Sequence, residues 1–207
     1  RDCDIVIIDS ENIASAAQLV QSAAGFAIDM DSMPRLDSAA IDGILVALRC
    51  TAPEKSKVML IRGIGQTASL HTDSQHHGVD CAISVLNDGS GISAAASLPL
   101  VGRSVSATLE ENCKASMWLP WSATSEDLAI LCASNVAFTI CPAPDENIAG
   151  WIAQVTSGLS AHLNRLGLAS IDSLSRGNLR ACDQDTAAVS GLRLAGYDRP
   201  LPHWFAR

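Results

Sequence analysis

The chain is 207 residues long, 48% hydrophobic and 17% charged, with a mean hydropathy of +0.21, a composition that excludes disorder and predicts one domain of ordinary size with a genuine core. Its 14 Lys and Arg against 22 Asp and Glu leave a formal charge of −8 and an isoelectric point near 4.9, so there is no basic footprint for a phosphate backbone or an anionic lipid surface, and nucleic-acid binding is not expected. No apolar run approaches the ~20 residues of a membrane span. Arg1-Asp2-Cys3-Asp4 leads directly into a strand-like run without the pattern of a signal peptide, which predicts a cytoplasmic protein. The seven cysteines are odd in number and irregularly spaced, and read as reduced, mostly buried thiols.

Taken in chain order, residues 4–9 form a first strand-like run, followed over 12–23 by apolar residues at helical spacing. A second strand at 26–30 leads to Asp37-Ser38, which can cap a helix carrying Ile41, Leu45, Val46 and Leu48. Thr51-Ala52-Pro53 stops that helix. Strands follow at 57–62 and 81–86, each ending in a glycine-containing loop: Gly63-Ile64-Gly65 after the first, Asn87-Asp88-Gly89-Ser90-Gly91 after the second. Residues 104–109 and 116–121 read as strands, 125–133 as a capped helix and 136–140 as a short strand. From Asp145 the pattern changes to a long amphipathic helix over 147–166, closed by Gly167, then shorter helices over 170–179 and 185–192 and an extended tail with Trp204 and Phe205.

Strands alternating with helices predict an α/β fold with parallel strands, here a partial or degenerate (β/α) barrel over 1–144 and a C-terminal helical extension and tail over 145–207. A complete barrel typically needs ~250 residues. At about thirty residues per unit there is room for roughly four or five. Ligands of such a sheet sit at the carboxyl ends of the strands. There, Gly63 and Gly65 can turn backbone N–H groups toward a phosphate, although a plain strand-to-helix turn needs the same residues. Asp88, Gly89 and Gly91 form the best small-molecule loop, offering close backbone approach beside a polar side chain. His71, His76 and His77 with Asp73 and Cys81 suit zinc by residue type, but their spacing does not place the three imidazoles on one helical face. Trp118 and Trp121 bracket Pro120, either in the core or stacked on a ligand, and no serine sits in a nucleophile elbow.

Several stretches, in order, resemble the FMN-binding glutamate synthase domain family. Arg35-Leu36-Asp37-Ser38-Ala39-Ala40-Ile41-Asp42-Gly43 through Lys57-Val58-Met59-Leu60-Ile61 is similar to the unit leading into that family's substrate-lysine strand. Gly78-Val79-Asp80 with Asn87-Asp88-Gly89-Ser90-Gly91 is similar to its next strand and glycine loop. Leu128-Ala129-Ile130-Leu131-Cys132 followed by Cys141-Pro142 resembles the barrel end where cysteines bind an iron–sulfur cluster. Residues 163–174, then Arg176, Asn178-Leu179-Arg180 and Asp185-Thr186, are similar to the closing helical extension. The resemblance implies an amino-acid oxidoreductase with FMN near Gly63, Gly65, Asp88, Gly89 and Gly91, and metal ligation by Cys132 and Cys141. Met59 stands where the family has its lysine, Asn87 where it has a loop histidine and Ser90 where it has a second glycine. Two thiolates do not complete an iron–sulfur site without further ligands. The expectation is therefore a degenerate, glutamate-synthase-like component, or alternatively a non-catalytic structural or regulatory subunit. Either would work in an oligomer or with other protein subunits, because a partial barrel exposes edges and an apolar face.

Overall fold

The computed structural model describes residues 4–33, 36–53, 57–86, 91–108, 113–144 and 147–200, with the side chains of 104–108 excepted. Six strands, β1 (Ile5–Ile8), β2 (Gly25–Asp29), β3 (Lys57–Gly63), β4 (Cys81–Val85), β5 (Lys114–Trp118) and β6 (Phe138–Ile140), pair in sequence order into one sheet, and every pair is parallel. The crossovers carry α1 (Ala16–Gln21), α2 (Ser38–Thr51), α3 (Thr67–His76), α4 (Ala94–Thr108) and α5 (Ser125–Ala133). Strands that neighbour in sequence and in space, joined by crossovers of one hand, place the crossover helices on one side of the sheet. The fold is a partial (β/α) barrel.

Alternation along each strand divides the apolar residues between two faces. On the convex face Ile8, Phe26, Ile28, Val58, Leu60 and Ala82 meet Val20 of α1, Ile41, Leu45 and Leu48 of α2 and Leu70 of α3 in one buried cluster. A second convex cluster joins Ala115 and Met117 of β5 to Leu98 and Val101 of α4 and Leu131 of α5. The ends of these helices are built as their sequences ask. The Asp37 carboxylate accepts the Ala40 N–H at 2.8 Å, and Thr124 and Asp127 cap α5 reciprocally.

Two expectations are corrected. Residues 104–109 alternate like a strand, yet 104–108 are the last turns of α4, because burial of Leu98 and Val101 against β5 carries the helix onward and the sheet resumes only at Lys114. The short α1 and α5 units also leave room for six strands, beyond the four or five that length alone allowed.

After β6 comes α6 (Ile148–Leu166), which ends at Gly167 in the left-handed conformation, φ +68°. Two 3-10 turns, Ile171–Ser173 and Arg176–Asn178, stand where one helix over 170–179 was expected, since Ser170 and Ser175 are extended and interrupt it. The chain then forms α7 (Gln184–Ser190), which packs on α4. The Arg176 guanidinium forks between the carbonyls of Pro99 and Ser190, and Arg103 donates to the Val189 carbonyl at 3.3 Å, so the extension is stitched to α4. Among the described residues no helix is long and apolar enough to cross a membrane.

Candidate functional site

Among the described residues, Asp9, Asp29 and Asp31, at or just beyond the carboxyl ends of β1 and β2, are engaged by backbone N–H groups. Asp9 Oδ1, just beyond β1, accepts the N–H groups of Glu11 at 2.9 Å and Asn12 at 3.0 Å, while the Asn12 side chain returns a bond to the Ile7 carbonyl at 2.9 Å. Asp29 Oδ1, at the end of β2, accepts from the N–H groups of Asp31 at 3.1 Å and Ser32 at 3.3 Å. Asp31 Oδ2 accepts the Gly63 N–H at 2.6 Å and so ties the loop after β2 to the end of β3. Asp9 and Asp29 are turn-forming carboxylates of the Asx type, while Asp31 is a tether between two loops. The Arg62 side chain points the other way, donating to Ser69 Oγ at 2.9 Å and lying 3.4 Å from Asp73 Oδ2 on α3.

The residues singled out in the sequence are dispersed. The Gly63 amide is taken by Asp31, and Gly65 lies within the 3-10 turn Ile64–Gln66. Gly91 has φ +66° and leads toward α4, whereas Asp88 and Gly89, with Asn87 and Ser90, lie outside the described residues. Met59 is buried between Ala27 and Cys81 in the sheet register, an apolar core position. Cys132 sits near the end of α5 and Cys141 immediately after β6, packed against the second convex cluster, and among the described residues no group of three or more potential metal ligands includes either. Burial raises the Cys132 thiol above its ordinary range. Trp121 donates from Nε1 to Asp127 Oδ2 at 3.1 Å on the convex side, while Trp118 lies on the concave side.

The five residues of mixed zinc-type chemistry also part. Cys81 faces the concave side, Asp73 is held by Arg62, and His71 is buried in α3. His76 and His77 remain together, and Asp42 of α2 joins them, with His77 Nδ1 2.6 Å from Asp42 Oδ1. Asp42 escaped the sequence reading because thirty-five residues separate it from His77, and only the packing of α2 beside α3 brings them into contact.

The concave face itself is the most distinctive feature. Its cluster consists of Ala27, Met59, Ile61, Cys81 and Ile83, with Ile7, Val85, Trp118 and Ile140 packed against them, and every one of these belongs to a strand. Among the described residues no helical side chain enters it. At its amino-terminal end burial pushes the Cys81 thiol up to about 12, with the adjacent Cys113 thiol and the Asp80 carboxylate acting in the same direction. Burial likewise raises Cys113 to about 11, reinforced by Asp80. These thiols stay protonated at neutral pH and are inert.

No family model matches the chain, and no curated protein matches it. Among solved structures, the apo form of a candidate deoxyribose-phosphate aldolase from Toxoplasma gondii ME49 is similar over 78% of this chain and 70% of that one, with 12% identity and a TM-score of 0.46. A likeness that distant carries no activity across. The expected membership of the FMN-binding glutamate synthase family is overturned: no family model supports it, and the structural neighbour found is not of that family. The motif order that suggested it reflects what any chain of βα units shares, namely an apolar strand, a glycine loop and a capped helix.

Proposed function

We propose that the chain is a structural subunit that assembles with further copies of itself through the open edges of its sheet. The observation that carries this reading is the strand-only concave cluster, flanked at its two edges by the exposed apolar side chains Ile5 on β1 (38% exposed) and Phe138 on β6 (39% exposed). An edge strand with unpaired backbone groups and an apolar side chain is a template for another strand, and proteins that stay single cover or charge such edges. Pairing β6 of one copy with β1 of the next extends the parallel sheet without reversing its faces, a head-to-tail contact that closes a ring or continues as a filament. The commitment of Asp9 and Asp29 to local turns, and of Asp31 to the Gly63 amide, favours this role over proton-transfer chemistry at the strand ends.

Light scattering at micromolar concentration tests it. The expected mass is a multiple of 21.7 kDa that returns to one chain in Phe138→Lys, with the circular dichroism of the fold retained. A single-chain mass for the unmodified protein, with the backbone amides of β1 and β6 protected from hydrogen exchange, would sink the proposal.

A further inference from the structure

We infer that Asp42, His76 and His77 form a binding site for a divalent transition-metal cation of the zinc class, bridging α2 and the carboxyl end of α3. One ligand atom from each of these residues lies within 4.8 Å of the other two. Two imidazoles and one carboxylate form a nitrogen-rich donor set of borderline softness, suited to zinc, cobalt or nickel and unsuited to magnesium or calcium, which take oxygen ligands. The His76 and His77 rings meet edge to face, with centroids 4.9 Å apart and planes at 78°, so they are not stacked on one another. Three protein ligands leave the fourth position for water, as in an open zinc site.

The burial of the three residues divides their roles. The His77 side chain is 1% exposed and is the fixed anchor, while Asp42 is 56% exposed and His76 lies at the surface, so these two are free to adjust around an ion. Ligands at about 2.0–2.1 Å from a tetrahedral centre lie roughly 3.3 Å apart. The 2.6 Å between His77 Nδ1 and Asp42 Oδ1 is a hydrogen-bond distance, so binding requires the exposed carboxylate to retreat by about 0.7 Å and the exposed His76 imidazole to close in from a separation of up to 4.8 Å. When the cation takes Nδ1, the ring proton moves to Nε2. That atom is buried with no hydrogen-bond partner among the described residues, so the shift of tautomer sacrifices no existing bond there. The neighbouring charges are otherwise engaged. Arg49 Nη2 donates to the Gly78 carbonyl at 2.9 Å, and Asp73 faces Arg62 at 3.4 Å.

The site is independent of the sheet edges, so its failure would leave the assembly reading untouched. The test is calorimetric titration of the chelator-treated full chain with zinc chloride, repeated on Asp42→Asn and His76→Gln, both surface substitutions whose folding is checked by circular dichroism. Expected is one equivalent bound by the unmodified chain, an affinity at least tenfold weaker in each variant, and a cobalt(II) spectrum without thiolate-to-metal charge transfer. Absence of binding, binding that both variants leave unchanged, or a thiolate signature from the surface cysteines would overturn the inference.

Discussion

Two helices of similar design meet opposite fates in this molecule. Both α2 and α6 are amphipathic and capped at their amino ends by a side chain, Asp37 for the first and Asn147 for the second. Over 14 residues α2 buries Ile41, Leu45 and Leu48 against the sheet. Over 19 residues α6 buries none, and Ile148 and Ile152 are more than half exposed. The difference lies in what each helix finds beneath it. α2 crosses between two paired strands, whereas α6 follows β6, the last strand of the sheet, and rests chiefly on α5 and the Ala123 turn before it. An amphipathic stripe specifies a helix and offers a face, but a receiving surface exists only where the sheet continues.

The sharpest way to break this contrast is to truncate each stripe. Leu45→Ala, at a position 1% exposed, is expected to lower unfolding free energy by ~3 kcal/mol or more, since it leaves a cavity under α2. Ile152→Ala, at a position 53% exposed, is expected to change it by less than about 0.5 kcal/mol. Urea melts of the single-chain form compare them directly. Equal losses would mean that α6 is packed as firmly as α2.

A smaller effect is expected from two glycines that allow helices to approach. A Cβ at Gly102 of α4 would lie 2.6 Å from the backbone oxygen of Ser134, and the buried α4 cannot retreat, so Gly102→Ala should destabilise by ~1–3 kcal/mol. A Cβ at Gly158 of α6 would collide with Ser125 Oγ. There the loosely held α6 can shift outward, and Gly158→Ala should cost about 1 kcal/mol or less once the gain in helix propensity is included. Thermal melts that reverse this order would show α6 to be the better anchored helix.

The smallest effect is confined to alkaline pH. Cys81 and Cys113 are raised in the folded chain, so the unfolded chain ionises first. Their contribution to stability is complete below about pH 9, and it falls as pH rises from 9.0 toward about 12. Denaturant titrations at pH 7.5 and 10 should show the loss, and Cys81→Ala should reduce it. Iodoacetamide at neutral pH should label the exposed Cys50 and Cys182 and leave Cys81 and Cys113 until the chain unfolds.

Much of the architecture was legible because its signals are local. The strands at β1 to β4, the Asp37 and Thr124 caps and the Gly167 stop all follow from apolar period, side-chain hydrogen bonding and backbone freedom over a few residues. α4 was less legible, because its second half alternates like a strand and Pro99 sits inside it. The candidate sites were least legible of all. Gly63 reads as a phosphate-loop residue until the Asp31 carboxylate is seen to take its amide. His77 reads as one of several scattered histidines until α2 brings Asp42 to it.

The sequence by itself determined the class of fold, the parallel character of the sheet, the start of α2 at Asp37 and the stop of α6 at Gly167, because periodicity and capping act between residues a few positions apart. Only the tertiary structure decided which carboxylates are spent on turns, which histidines meet, and that the concave face is lined by strands alone. Those outcomes depend on contacts between residues tens of positions apart, and such contacts form only after the strands have chosen their neighbours.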